Sequence, residues 1–353
     1  MKTYRIDQSY QANYESGPEF SRPFPEVPTT PTKELLGMRV NSRVGIAAGL
    51  LLNSKWIATY ARLGFDVLTY KTVRSRYREC YPPPNWVRLN LPNGLPDDPD
   101  ASLMADHSDA PISDTATWAV CFGMPSMEPE VWRADVERAK RGLGTGQILN
   151  VSVVGTPNEV GSFDDLADDF ARCAAWAKEA GADWIEANFS CPNVTTAEGQ
   201  VYQDPRAARA AAERIRRAIG NTPLLIKTGS FGAAGTLAEF LESMDRLADA
   251  VVLVNAVQRR VHDSNGRPVF GPFERVGIVG HAIRDHCLHL VADASAIVRS
   301  RKLAIRIFGV GGASTAADVR EYFHVGADAV FLGSAPMFKP TLAAEIKRAY
   351  PEL

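Results

Sequence analysis

The chain has 353 residues, 45% of them hydrophobic and 23% charged, which is enough apolar material for a large buried core. Its 39 basic and 41 acidic residues leave a net charge of -2, which excludes the strongly basic surface of a nucleic-acid or polyanion binder. No apolar run approaches the roughly 20 residues that span a bilayer, and the start, Met1-Lys2-Thr3-Tyr4-Arg5-Ile6-Asp7, has no apolar signal segment, so neither a membrane nor a secretory route is expected.

Residues 1–40, rich in Pro, Tyr and charge, read as an extended N-terminal arm with at most a little local sheet. From Arg43 short apolar strands alternate with helical segments. The strands are expected at residues 44–48, 67–70, 148–151, 184–187, 224–227, 251–254, 304–309 and 329–332. Between the second and third lies a polar, turn-rich stretch, residues 90–118, which reads as an insertion and, being long, as a lid or binding element. Before the fourth strand, Phe163, Leu166, Phe170, Cys173 and Ala177 repeat at helical spacing, and Ser162 with Asp164 and Asp165 suits that helix's N-terminus. Asp204-Pro205 opens another helix, with Asp as cap and Pro in the first turn. Residues 258–280, after the sixth strand, form a second excursion with a hairpin signal at Asn265-Gly266. The helix through Asp318 and His324 should stop at Gly326.

Eight strand–helix units in one chain predict a (β/α)₈ TIM barrel of the α/β class, a single domain spanning residues 1–353 with an N-terminal arm and rim insertions. The alternative is an open doubly wound sheet. That fold favours a Gly-x-Gly-x-x-Gly turn after its first strand, whereas here the first strand runs into Ala47-Ala48-Gly49-Leu50. In a barrel both excursions sit at the C-terminal rim, where such folds carry their active sites.

The chemistry is concentrated at strand ends. The fourth strand runs into Asn188-Phe189-Ser190-Cys191-Pro192-Asn193, and Pro192 stops the ladder. A thiol is placed there between carboxamides that offer both a donor and an acceptor to a planar amide or imide. Cysteine acts as base or nucleophile when its pKa is brought near neutrality. The plain alternative is a buried Cys in a strand-end turn. The five cysteines (Cys80, Cys121, Cys173, Cys191, Cys287) form no Cys-x-x-Cys, so no metal or iron–sulfur site is expected, and a reduced, cytoplasmic compartment is. Lys71 and Lys227 each end an apolar strand, where Lys can pair with a phosphate, hold a polarised ring atom or form a Schiff base. Asn150 and Asn255 take equivalent positions after the third and sixth strands. Gly309-Val310-Gly311-Gly312 and Gly333-Ser334 follow the last two strands, the usual phosphate grip of this fold.

In that order and on those strands, Ala47-Ala48-Gly49, Tyr70-Lys71-Thr72, Phe122-Gly123-Met124-Pro125, Leu149-Asn150-Val151-Ser152, Asn188 to Asn193, Ile226-Lys227, Val254-Asn255, Gly309 to Gly312 and Leu332-Gly333-Ser334 resemble the FMN-dependent dihydroorotate dehydrogenase family, in its soluble class with a Cys base. The resemblance covers residues 44–338. It implies that Cys191 takes a proton from a substrate carbon while hydride leaves for FMN, with Lys71 touching both cofactor and substrate. It implies that Asn188, Asn193 and Asn255 hold the substrate ring. The flavin ring falls to Ala48, Gly49, Thr72, Asn150, Lys227 and Asn255, and its phosphate to Gly311, Gly312, Gly333 and Ser334. It further implies a role in pyrimidine biosynthesis and a homodimer. The electron acceptor has no short motif, so quinone, fumarate and a flavoprotein partner all stay open.

Val120 departs from the family's pattern, which has a further substrate Asn there, and residues 90–118 are an added segment immediately before it. The expectation is that this segment folds over the substrate and sets its choice, with Asn90 or Asn93 as replacements for the lost contact. A different cyclic amide or carbonyl substrate, a barrel lyase using Lys227 as a Schiff-base nucleophile, and a catalytically silent flavin-binding protein remain as alternatives.

Overall fold

The computed structural model describes residues 3–108, 111–113, 115–157, 162–190, 201–232 and 234–353. Eight parallel strands close into a barrel in chain order: Val44–Leu51, Val67–Val73, Ile148–Val153, Trp184–Asn188, Leu224–Lys227, Ala250–Leu253, Arg306–Val310 and Ala329–Leu332. Each pairs with its sequence neighbours, and the eighth pairs with the first through Phe331 and Gly45. All eight expected strands are present. Several ends shift by one or more residues because pairing to a neighbour, not the apolar run, decides where a strand stops.

The barrel interior has two levels of different chemistry. At its base Val67, Ile148, Trp184, Leu225, Ala250, Phe308 and Phe331 make an apolar plug. A small hairpin, Lys33–Leu35 with Met38–Val40, adds Leu35 and Val40 to the same cluster. Above the plug, strands two to five turn polar: Thr69, Lys71, Asn150, Ser152, Glu186, Asn188 and Lys227 are all buried. Strand period explains this, since alternate residues share one face. In Trp184-Ile185-Glu186-Ala187-Asn188, Ile185 and Ala187 join the outer core with Phe170 and Ala174 of the helix layer, while Trp184 joins the inner plug. Glu186 and Asn188 share the face of Trp184 and so fall inside.

The helices follow their sequence signals. Phe163–Glu179 starts in a capping box between Ser162 and Asp165 and buries Leu166, Phe170, Cys173 and Ala177. Pro205–Ile219 is capped by Asp204, whose side chain accepts from the amides of Arg206 and Ala207. Ala316–His324 begins in a second capping box, Thr315 with Asp318. The last helix, Leu342–Ala349, is tied to the barrel by a buried ion pair, Lys347 Nζ to Asp66 Oδ2 at 2.6 Å.

Two segments differ from expectation. The N-terminal arm contains a helix, Tyr10–Ser16, capped by Ser9. Its sequence has no apolar period. Tertiary contacts hold it instead: the buried Asn13 side chain bonds the amide and the carbonyl of Arg5. The two excursions do not form separate loops. Trp86–Leu89, Thr117–Val120, Arg275–Gly280, Val257–His262 and Ser102–Met104 join, in that order, into one five-stranded rim sheet. Pairing between residues some 160 apart in the chain, such as Val120 with Gly277, leaves no local trace. No helix among the described residues is long and apolar enough to cross a membrane.

Candidate active site

A cavity opens at the C-terminal end of the barrel. Ala48, Gly49, Lys71, Thr72, Asn188, Lys227, Asn255, Gly333 and Ser334 line it, so most of the residues singled out from the sequence converge there. Register brings them together: Lys227 pairs with Asn188 across the fourth and fifth strands. The Asn188 amide nitrogen donates to Thr72 Oγ1 at 3.4 Å, and its oxygen accepts the Ser190 amide at 3.2 Å. Asn255 Nδ2 donates to the Ser190 carbonyl at 2.5 Å. Two carboxamides thus hold the backbone just ahead of Cys191. Cys191 itself and Asn193 lie outside the described residues.

Lys71 is buried, and its Nζ donates to the Pro125 carbonyl and sits 4.7 Å from the centre of the Tyr10 ring. Burial brings its pKa down to about 7; neighbouring Cys80 opposes the fall and Arg74 adds to it. Lys227 is held at the Ala48 carbonyl, 3.5 Å away. Beneath them Asn150 Nδ2 donates to Thr69 Oγ1 at 3.1 Å, while Asn150 Oδ1 has no partner among the described residues. Asn150 does not line the cavity; it lies one layer deeper. Glu186, which the sequence reading missed, is fully buried in that layer. Burial raises its pKa against the opposing pull of Lys227, Ser152 and Asn150. Its signal was present: a lone acid at an inward position of an apolar strand.

A smaller pocket adjoins the cavity, lined by Gly311, Gly312, Gly333, Ser334 and Asn255. Its glycines divide into two kinds. Gly311 and Gly312 have φ of 134° and 70°, and an added Cβ would meet Cys287 Sγ at 2.3 Å and the Arg284 backbone at 2.6 Å. Packing alone demands glycine there. Gly333 has no positive φ, and a Cβ on it would meet nothing within 4 Å. The chain's own packing does not require that glycine, and the space beside it is open. The amides of Ser314 and Thr315 are already taken by the Asp318 carboxylate at 2.9 Å. An anion here is left to the turns before them.

The far wall is apolar and was not legible in the sequence. Tyr4 and Tyr10 of the N-terminal arm line the cavity together with Trp86, Val120, Phe122 and Met337. Ring centroids lie 5.9 Å apart for Tyr4 and Trp86, 5.6 Å for Trp86 and Phe122, and 6.5 Å for Tyr10 and Phe122. The loop that carries Phe122 is firmly held. Asn85 Nδ2 bonds the Cys121 carbonyl at 2.8 Å, and the fully buried Arg74 bonds the Met124 carbonyl at 3.1 Å. None of the described residues of 90–118 lines the cavity, and Asn90 and Asn93 are exposed. Their strand, Ser102–Met104, is recruited to the far edge of the rim sheet by pairing with Val257–His262.

Comparison with known proteins gives a consistent result. The family model described as "Dihydroorotate dehydrogenase" matches residues 127–353. A protein of Dictyostelium discoideum named dihydroorotate dehydrogenase is 31% identical over 355 residues, covering 96% of this chain and 95% of that protein. The catalytic subunit of dihydroorotate dehydrogenase B (NAD(+)) from Solidesulfovibrio magneticus is 31% identical over 195 residues, 53% of this chain and 60% of that one. In fold, the crystal structure of DHODH from Eimeria tenella in complex with ferulenol matches with a TM-score of 0.71 at 16% identity, over 93% of this chain and 87% of that one.

Proposed function

Because the chain belongs to the dihydroorotate dehydrogenase family, an oxidoreductase family acting on CH–CH groups, we propose that it is FMN-dependent and oxidises dihydroorotate, or a closely related dihydropyrimidine ring, to the unsaturated ring. The observation that carries this is the convergence of Lys71, Asn188, Lys227, Asn255 and Gly333 on one cavity at the C-terminal end of the barrel. The residues fit the cofactor. Gly333 leaves a space its own chain does not need, and Asn150 Oδ1 is buried without a partner in the layer below. Such an orphan is rare in a native core unless a ligand or water completes it.

In this reading Ala48, Gly49, Thr72, Asn150, Lys227 and Asn255 hold the flavin ring, and Gly311, Gly312, Gly333 and Ser334 hold the phosphate. Bound FMN supplies the hydride acceptor. Asn188, Asn193 and Asn255 orient the substrate ring through paired donors and acceptors. Cys191 takes the proton from the ring carbon next to the one that loses hydride. Lys71 and Lys227 place cationic groups where negative charge collects. The closing of the ring's double bond needs both losses, so the base and the acceptor act on neighbouring carbons. A Schiff-base role for Lys227 is not retained, since the family is one of oxidoreductases. A single domain, a homodimer and a reduced cytoplasmic setting belong to the same proposal.

The test is anaerobic flavin reduction. Purified protein is expected to be yellow, to release FMN on denaturation, and to bleach on addition of dihydroorotate. A colourless folded protein refutes the cofactor. A yellow protein that no dihydropyrimidine bleaches refutes the substrate class.

A further inference from the structure

Among the described polar residues buried above the barrel's plug, Glu186 is the one acid, and the reaction described above does not use it. It has no exposed surface, and neither carboxyl oxygen has a hydrogen-bond partner among the described residues. The polar side chains that face it are engaged elsewhere: Asn150 Nδ2 donates to Thr69 Oγ1 at 3.1 Å, and Ser152 Oγ shares a hydrogen bond with Thr72 Oγ1 at 3.0 Å. Its register partners are Ser152 on the third strand and Leu225 on the fifth. Lys227 stands two residues beyond Leu225, on the same inward face, and is the charged group that acts on Glu186. The plug residues Trp184 and Leu225 bring no charge. A carboxylate buried without donors is costly enough that the group keeps its proton instead. One cation on the next strand does not replace the missing hydrogen bonds, and burial outweighs the pull of Lys227, Ser152 and Asn150. The neutral acid fits the layer better. Its O–H has Ser152 Oγ and Asn150 Oδ1 as acceptors, and either oxygen keeps a second lone pair for another partner.

We propose that Glu186 is a positioning residue kept as the neutral acid, whose neutrality leaves the Lys227 ammonium without a counter-charge from Glu186 and so at full strength toward negative charge in the cavity. An ionised Glu186 would cancel much of that field, since opposite charges on adjacent strands oppose each other at any third point. Only the effect on the flavin rests on the FMN reading; the proton on Glu186 does not.

Glu186→Gln copies the shape and charge of the neutral acid. In FMN-loaded protein, the infrared difference between wild type and Glu186→Gln at neutral pH should show the C=O stretch of a protonated carboxylic acid. Urea unfolding gives the second measurement. Folded Glu186 holds a proton that the unfolded chain releases above the ordinary carboxylate range, so wild type loses stability as pH rises there. The folding constant of Glu186→Gln relative to wild type should therefore rise about tenfold per pH unit, levelling off where folded Glu186 ionises. The flavin's reduction potential is the third. It should be equal in the two proteins below that levelling-off and lower in wild type above it. An absent carboxylic-acid band overturns the proposal, as does a relative folding constant that is flat or falling between about pH 5 and about pH 7. A wild-type potential already lower at pH 7, or no separation above the levelling-off, overturns the action through Lys227. A colourless protein would instead sink the FMN reading, and the infrared and unfolding results, which need no flavin, would still decide whether Glu186 is neutral.

Discussion

Gly333 offers the sharpest test of where the cofactor lies. Its φ is one that any residue adopts, and an added Cβ would meet no heavy atom within 4 Å. Gly333→Ala should therefore leave the flavin-free protein within about 0.5 kcal/mol of wild type. The new methyl would stand in the space assigned to the FMN phosphate. Overpacking of this kind costs about 1–3 kcal/mol, which is about a 5- to 150-fold loss of FMN affinity. Thermal melting reads the difference. With FMN at about 100 times its Kd, wild type gains about 2.7 kcal/mol, whereas a variant binding about 100-fold more weakly gains only about 0.4 kcal/mol. For a chain of 353 residues, an unfolding entropy of about 2.1 cal/mol/K per residue turns these gains into shifts of about 4 °C and about 0.5 °C. Gly312→Ala is the control, because φ of 70° and a 2.6 Å approach to the Arg284 backbone make it damage the flavin-free fold as well. Two results would refute the reasoning. One is a Gly333→Ala protein with wild-type FMN affinity and thermal gain; the other is a large loss of stability before FMN is added.

Cys191→Ala should fold and keep FMN but lose substrate-driven flavin reduction by orders of magnitude, whereas Cys191→Ser should keep some activity at high pH; stopped-flow reduction distinguishes them. Lys71 has a folded pKa of about 7 against an ordinary 10.5, so the cost of burying its charge is fully present below pH 7 and disappears as pH rises toward 10.5. Flavin-free Lys71→Met should accordingly gain most over wild type below pH 7 and progressively less toward pH 10, as read by urea unfolding; a pH-independent difference would contradict the burial of the charged form. Lys347→Met strands the buried Asp66 carboxylate, whose pKa burial already raises, and should cost about 3–5 kcal/mol at neutral pH. That deficit should shrink as pH falls toward the ordinary carboxylate range, because a protonated Asp66 no longer carries a buried charge; denaturant midpoints at two pH values check it.

The sequence alone determined the alternation of eight strands with helices, the caps at Ser162 and Asp204, and the polar residues that would end strands at one rim. Each of these signals lives within a few residues: an apolar run, a cap followed by its helix, a Lys or Asn closing a strand. Given closed parallel pairing, strand ends become one site, and so Lys71, Asn188, Lys227 and Asn255 meet although up to 184 positions separate them, from 71 to 255. The other wall comes from contacts between distant segments. Tyr10 touches Lys71, Trp86 pairs with Val120, and Ser102–Met104 leaves the site for the far edge of a sheet. None of these contacts has a local period to announce it. Glu186 is intermediate: its inward position follows from strand alternation, but that it lies under Lys227 depends on which strand closes beside it. Local pattern specifies which face a side chain takes, because that depends on backbone geometry over a few residues. Its partner across the cavity is chosen by packing of distant segments, whose contact energies leave no mark on either segment's own sequence period.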